Sequence, residues 1–131
     1  MPAHRETVTA LRAPAAIGPY VHGVRTGGLL FCSGQIPLDA GSGELVGDTP
    51  PEQARRCLDN LAAVCEAAGA TLADAVRITI YMTDLSAFGD VNEVYGGAFG
   101  DSEPPARVAV GVAALPRGAQ VEMDAIVALP G

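Results

Sequence analysis

The chain has 131 residues, 49% of them apolar and 18% charged, with a formal net charge of −7. That length holds one compact domain, residues 1–131, and the composition is that of a folded globular chain, not a disordered one. A field of that sign repels phosphate backbones and anionic lipid heads, and the eight basic residues are scattered, so neither nucleic acid nor a membrane surface is expected as a partner.

Thr7–Leu11 reads as a short first strand, followed by a proline-rich loop, "APAAIGPY". Tyr20–Arg25 reads as a second strand, Thr26–Gly28 as a hairpin turn and Leu29–Gln35 as a third strand. The glycine-punctuated stretch Ile36–Asp48 is loop. The first helix is announced by Thr49 as N-cap, Pro50 at the first helical position and Glu52 as capping-box partner. Its apolar face runs through Ala54, Cys57, Leu58, Leu61, Ala62, Cys65 and Ala68, and Gly69 ends it. Val76, Ile78, Ile80 and Met82 alternate with polar residues in a fourth strand. Phe88, Val91, Tyr95, Ala98 and Phe99 mark a second helix that Gly100 stops, and Arg107–Ala113 and Gln120–Leu129 are the last two strands.

This order of elements predicts an α+β domain: one mixed six-stranded sheet with two helices on one face. The other face is left to find a partner. A mean hydropathy of +0.27 in so short a chain points the same way, to a homo-oligomer whose interfaces absorb the surplus apolar surface.

Some chemistry is excluded outright. All eight basic residues are arginine, so neither a lysine Schiff base nor a Walker A loop can be built. His4 and His22 are far apart and no cysteine pair has zinc spacing, so no metal is expected. Cys32, Cys57 and Cys65 are an odd set without paired spacing, which reads as structural thiols in a reducing cytoplasmic setting. No segment has the length of a membrane span, and the N-terminal "MPAHRETVTA" lacks the apolar centre of a signal peptide.

Two positive features remain. Gln120, Glu122 and Asp124 share one face of the last strand, which is either a solvated polar face or a rigid mount for a carboxylate that positions water or accepts a proton. Arg107 stands at the start of the apolar run "VAVGVAA". It is either an ordinary strand-start residue or a planar fork that holds a carboxylate through two parallel bonds.

The chain resembles the Rid (YjgF-like, reactive intermediate deaminase) family from about Ala13 to Val127. The matching landmarks are "AIGPY", "SGQI", "GELVGD", "NL", "AAG", "VNEVY", "PPAR", "LPRGAQVEM" and "AIVAL", in that order. The resemblance implies a chorismate-mutase-like fold of the bacillary type. It also implies a homotrimer whose sites lie in clefts between subunits. The implied reaction is hydrolysis of short 2-imino acids and their enamine tautomers to 2-oxo acids and ammonia, without cofactor or metal. On the family's pattern Arg107 anchors the substrate carboxylate and Glu122 positions water. Tyr20 closes the pocket, Ser33 and Gly34 line it, and Asn92 and Ala109 lie near the substrate, Asn92 without an assigned role.

Two departures stand out. Val21 and His22 replace the family's usual Ser-Gln, and His22 reads as a surface or interface histidine, or else as an added titratable group. Ala109 stands where some relatives carry cysteine, so a thiol there is not required. The alternatives to the deaminase are a same-fold protein that binds a small carboxylate without turnover and a hydrolase dedicated to another pathway intermediate.

Overall fold

The computed structural model describes residues 4–131. Residues 1–3, part of the stretch read for a signal peptide, lie outside the described residues. The strands are β1 (Glu6–Val8), β2 (Gly23–Thr26), β3 (Leu29–Gln35), β4 (Ala75–Met82), β5 (Ala106–Gly111) and β6 (Val121–Ala128), and the helices are α1 (Pro50–Ala67) and α2 (Phe88–Gly97). They form one six-stranded sheet in the order β1-β2-β3-β6-β4-β5. Every neighbouring pair is antiparallel except β4 and β5, which are parallel and joined through α2.

Alternation sorts the sheet into two faces. Ile78, Ile80 and Met82 of β4 and Val121, Met123, Ala125 and Val127 of β6 are buried in one core with Cys57, Leu58, Leu61, Val64 and Cys65 of α1 and Val91 and Tyr95 of α2. Each fully buried Leu, Ile or Val there contributes roughly 1.5–3 kcal/mol relative to exposure. The opposite face carries Thr79, Tyr81, Glu122 and Asp124, with Phe31, Val108 and Val110 exposed beside them.

The local signals act largely as read. The Gly27-Gly28 turn has φ of 54° and 83°, the pair of left-handed residues a tight hairpin requires. Thr49 caps α1 by accepting the Glu52 N–H, while the Glu52 carboxylate takes the Thr49 hydroxyl at 2.8 Å in place of the backbone N–H of a capping box. The cysteines are all free and buried, and burial pushes the Cys57 thiol well above its ordinary value. Among the described residues no helix is long and apolar enough to cross a membrane, and no group of acids, histidines and cysteines could hold a metal.

Two strand assignments shift. The first strand ends at Val8, and Leu11 is 95% exposed, because the chain leaves the sheet before reaching it. The second starts at Gly23, since a turn at Gly18–Tyr20 occupies the preceding residues.

The loop after β3 is held to α1 by two buried amides: Gln53 donates to the Gly47 carbonyl at 3.1 Å, and Asn60 grips the start of the loop. Asn60 Nδ2 donates to the Ile36 carbonyl at 3.2 Å and to the Leu38 carbonyl at 3.1 Å. Asn60→Leu removes both N–H donors, leaving the Leu38 carbonyl unpaired in a dry site and the Ile36 carbonyl with only the Leu38 N–H. The expected loss is about 2 kcal/mol, seen as a lower urea midpoint at unchanged m-value.

Candidate active site

One cavity of about 330 Å³ opens beside β3 and β6, lined by Ile17, Tyr20, Ser33, Gly34, Ile36, Pro116 and Glu122. Four residues singled out in the sequence, Tyr20, Ser33, Gly34 and Glu122, thus meet around one space. Each is fixed differently. Glu122 projects from β6 on the face away from the helices, opposite Tyr81 of β4. Gly34 lies where β3 loses register with β6, between Cys32 and Gln35. A side chain at Gly34 would put its Cβ 3.0 Å from Glu122 Cδ and closer still to Oε2, so the carboxylate occupies the space that glycine leaves.

The Ser33 hydroxyl donates to the Val21 carbonyl at 2.6 Å, so in the cavity wall it can act only as an acceptor. Tyr20 is 43% exposed, and its hydroxyl accepts the Ile17 N–H at 3.2 Å, so the two residues of that wall brace each other. Pro116 opens a short turn in which Arg117 holds the left-handed conformation, φ 61°, and its guanidinium donates to the Gly43 carbonyl at 3.0 Å.

Glu122 is the one charged residue of the cavity wall. It is half-buried, and among the described residues no hydrogen bond reaches its carboxylate. Burial, and secondly the negative charge of Asp124, hold its carboxyl above the usual carboxylate range. Asp124 has a partner of its own: Tyr81 donates to it at 2.8 Å.

The other three singled-out residues, Arg107, Asn92 and Ala109, gather elsewhere. Arg107 on β5 pairs with Ile78 of β4 and therefore points to the helix side of the sheet. There Phe88, Asn92 and Tyr95 present one stripe of α2. The guanidinium carbon lies 5.2 Å from the Phe88 ring centre and 5.0 Å from that of Tyr95, and Nη1 donates to Asn92 Oδ1 at 2.5 Å. Asn92, without a role in the sequence reading, thus aims the arginine fork. The buried Tyr95 hydroxyl has no hydrogen-bond partner among the described residues, and burial raises its pKa although Arg107 pulls the other way. Ala109 lines a small apolar cavity with Leu85 and Phe88.

Arg107 and Glu122 are therefore apart. β4 separates their strands, which puts about 10 Å between them laterally, and they point to opposite faces. The sequence reading did not name Phe88 and Tyr95 as flanks of the arginine, because their helical spacing reads as core. Their offset from Asn92 by one helical turn was the available signal. Ile17, Ile36 and Pro116 were also not singled out, being apolar residues of loops.

The model of the family described as Endoribonuclease L-PSP matches residues 10–129. RutC family protein y4sK of Sinorhizobium fredii is 46% identical over 125 residues, 95% of this chain and 98% of that protein. The 2-iminobutanoate/2-iminopropanoate deaminase of Mus musculus is 43% identical over 122 residues, 93% of this chain and 90% of the mouse protein. Among solved structures, Escherichia coli TdcF with bound serine superposes with a TM-score of 0.89 at 40% identity, covering 95% of this chain and 99% of that one.

Glu122 is less stable in its ionised form inside the cavity than in the unfolded chain, so its charge opposes folding above its raised folded pKa, and the penalty vanishes below the unfolded one. Glu122→Gln is expected to melt a few degrees higher than wild type at neutral pH. The gap should close as the pH falls into the carboxylate range, as calorimetry at several pH values can show. Gly34→Ala is expected to force the carboxylate off the glycine, moving the Glu122 carboxyl resonance and its titration in carbon-13 NMR. An unmoved resonance would contradict the close approach.

Proposed function

The chain belongs to the Endoribonuclease L-PSP family, also called YjgF-like or Rid, and on that premise we propose that it hydrolyses short 2-imino acids and their enamine tautomers to 2-oxo acids and ammonia. 2-Aminoacrylate and 2-iminobutyrate are the representative substrates. The observation that carries this reading is the split of the site residues between the two faces of the sheet. An uncovered guanidinium on one side and a half-buried carboxylate cavity on the other are two halves of one substrate site.

The halves meet between chains. In this reading the chain is a homotrimer of the chorismate-mutase-like type, with the open sheet faces turned toward the axis. Exposed Phe31, Val108 and Val110 supply apolar surface for that contact. Arg107 of one protomer then enters the cavity of its neighbour.

Each part has a chemical task. The Arg107 fork, aimed by Asn92 and flanked by two rings, binds the substrate carboxylate through paired charge-assisted bonds. That places the imine carbon over Ser33 and Gly34. Glu122 takes a proton from water as the water oxygen bonds to that carbon, and the C=N electrons move to nitrogen. The same carboxyl returns that proton to nitrogen, giving a carbinolamine. It then takes the hydroxyl proton and passes it to the amine, so that the C–N bond breaks, ammonia leaves and the new C=O forms. A carboxyl held above its usual range suits both directions of transfer. Tyr20 closes the mouth. Serine bound in the TdcF structure supports the reading, because an α-amino acid carries the same carboxylate beside a nitrogen-bearing carbon. RNA is a poor fit to this cavity, whose one charged wall residue is an acid.

The test generates 2-iminobutyrate in place with an amino-acid oxidase and follows 2-oxo acid release. Wild type is expected to exceed the uncatalysed rate, while Arg107→Ala and Glu122→Gln each lose most of that excess. A wild type no faster than buffer would sink the deaminase, and retained binding of a 2-oxo acid would then select the non-catalytic alternative. Subunit exchange between the two inactive variants is expected to restore activity at about a quarter of the sites, those pairing an intact Arg107 with an intact Glu122. A mixture that stays inactive would overturn the shared site.

A further inference from the structure

The molecule holds one buried imidazole, and the proposed chemistry does not use it. His22, expected at the surface or an interface, is only 7% exposed and makes two hydrogen bonds. Nδ1 accepts the Ala10 N–H at 2.9 Å, and Nε2 lies 2.7 Å from the Pro14 carbonyl oxygen. An amide N–H can only donate and a carbonyl can only accept, so these partners fix the tautomer. The ring is neutral, bare at Nδ1 and protonated at Nε2.

These bonds hold a particular segment. Residues 10–20 form a strap that contributes Ile17 and Tyr20 to the cavity wall. Its other hydrogen bonds are internal: Ala13 to Ala10, Tyr20 to Gly18, and Ile17 to the Tyr20 hydroxyl. Its buried residues are Ala10, Ala13 and Pro14, small side chains that give limited apolar anchoring. Beyond an exposed Arg12–Glu66 pair at 3.6 Å, the imidazole is the polar tie from the strap to the rest of the described residues.

The other end of the tie is rigid. The Ser33 N–H donates to the His22 carbonyl at 3.0 Å and the Ser33 hydroxyl to Val21, so residues 21 and 22 are fixed to β3 beside Gly34. One side chain thus spans from the strand that floors the cavity to the strap that walls it.

We propose that His22 is a positioning residue: as a neutral, tautomer-fixed staple it holds the strap and sets Tyr20 at the mouth of the cavity, and protonation of the ring releases both. A proton on Nδ1 would face the Ala10 N–H, donor against donor. The surroundings offer an imidazolium no compensation. The strap presents Tyr20 as the titratable side chain of the wall around the ring, with Arg12 outside and paired to Glu66 of α1. β3 presents Cys32 opposite Gly23, a buried thiol kept neutral by contact with Cys65 and by burial. Among the described residues no carboxylate pairs with the ring. There is also room for release: a second cavity of about 340 Å³ lies between the strap, Tyr20, His22 and Ala40, so Tyr20 is the partition between two spaces.

The consequence for activity rests on the deaminase reading, while the staple itself does not. Glutamine is the discriminating replacement, because its amide accepts at one end, donates at the other and does not titrate. The experiment compares wild type, His22→Gln and His22→Ala as full chains. Nitrogen-15 NMR of the wild-type ring is expected to show the Nε2–H tautomer at neutral pH. Ala10 amide exchange, corrected for intrinsic rates, should lose protection by about tenfold or more in wild type between about pH 8 and about pH 5. Glutamine should keep that protection, and alanine should lack it throughout. In imine hydrolysis, KM should rise on acidification more steeply for wild type than for His22→Gln, with kcat less affected.

The opposite tautomer, or a glutamine variant whose Ala10 protection follows the wild-type pH course, would overturn the proposal. If His22→Ala does not fold, the tautomer and the glutamine comparison still decide it. If no variant hydrolyses imines but Ala10 behaves as described, the deaminase reading fails and the staple stands.

Discussion

The pleat of the sheet is the constraint on which the rest depends. Successive residues of a strand face opposite sides, and residues paired across neighbouring strands share a side. Arg107 is paired with Ile78, whose side chain is in the helix core, and Glu122 with Tyr81, which is on the open face. With those registers no rotamer change within one chain brings the guanidinium to the carboxylate. A slip of β5 by one residue would turn Arg107 to the open face, but it would also remove it from Asn92, Phe88 and Tyr95 and drive Val108 and Val110 toward the helices. The buried set of β4 and β6 thus fixes the division of the site, and that division is what makes association part of the proposed chemistry.

Electrostatics within each half follow from the same partition. Glu122 is on the sparsely covered face yet half-buried, because Gly34 lets β3 lie against the carboxylate. It therefore loses water without gaining a donor, and Asp124 two residues along the same face adds a like charge. Asp124 itself accepts a hydrogen bond from the Tyr81 hydroxyl. Arg107 is treated in the contrary way. Its flanks are aromatic faces and an amide oxygen, which favour a cation and fix its plane without neutralising it. A half-buried acid without a donor is costly for stability alone, and beside a guanidinium held in place without a counter-ion it becomes intelligible as one of two complementary halves.

Much of the fold was legible because its signals are local. α1 follows from Thr49, Pro50 and an apolar stripe, the β2–β3 hairpin from adjacent glycines, β6 from alternation over its eight residues and β4 from alternation over Ile78–Met82. Val76, read with that buried face, is exposed because the register shifts between Ala75 and Arg77. The first strand was misplaced because Leu11 has the composition of a strand and the exposure of a loop. The cavity half of the site was legible from the order of its landmarks. The separation of Arg107 from it was not, because it depends on β4 lying between β5 and β6 and on registers that no short window encodes. Asn92 was named without a role for the same reason: its partner is fifteen positions away, on another element.

His22 shows where local reading fails most clearly. A histidine between valine and glycine, at the edge of a strand, has no neighbours in sequence that would bury it. Its partners are main-chain groups eight and twelve residues earlier, and they become partners only when the strap folds back. Main-chain groups carry no side-chain identity, so no substitution pattern at Ala10 or Pro14 would betray the contact. What the sequence does contain is the chemical requirement itself. The position needs one acceptor and one donor at opposite ends of a planar group, which an uncharged imidazole and a primary amide both satisfy. A histidine standing where the resembled family carries glutamine is conservative in hydrogen bonding and radical in titration, and the difference between those two properties is where this chain can acquire a pH response that an amide could not give.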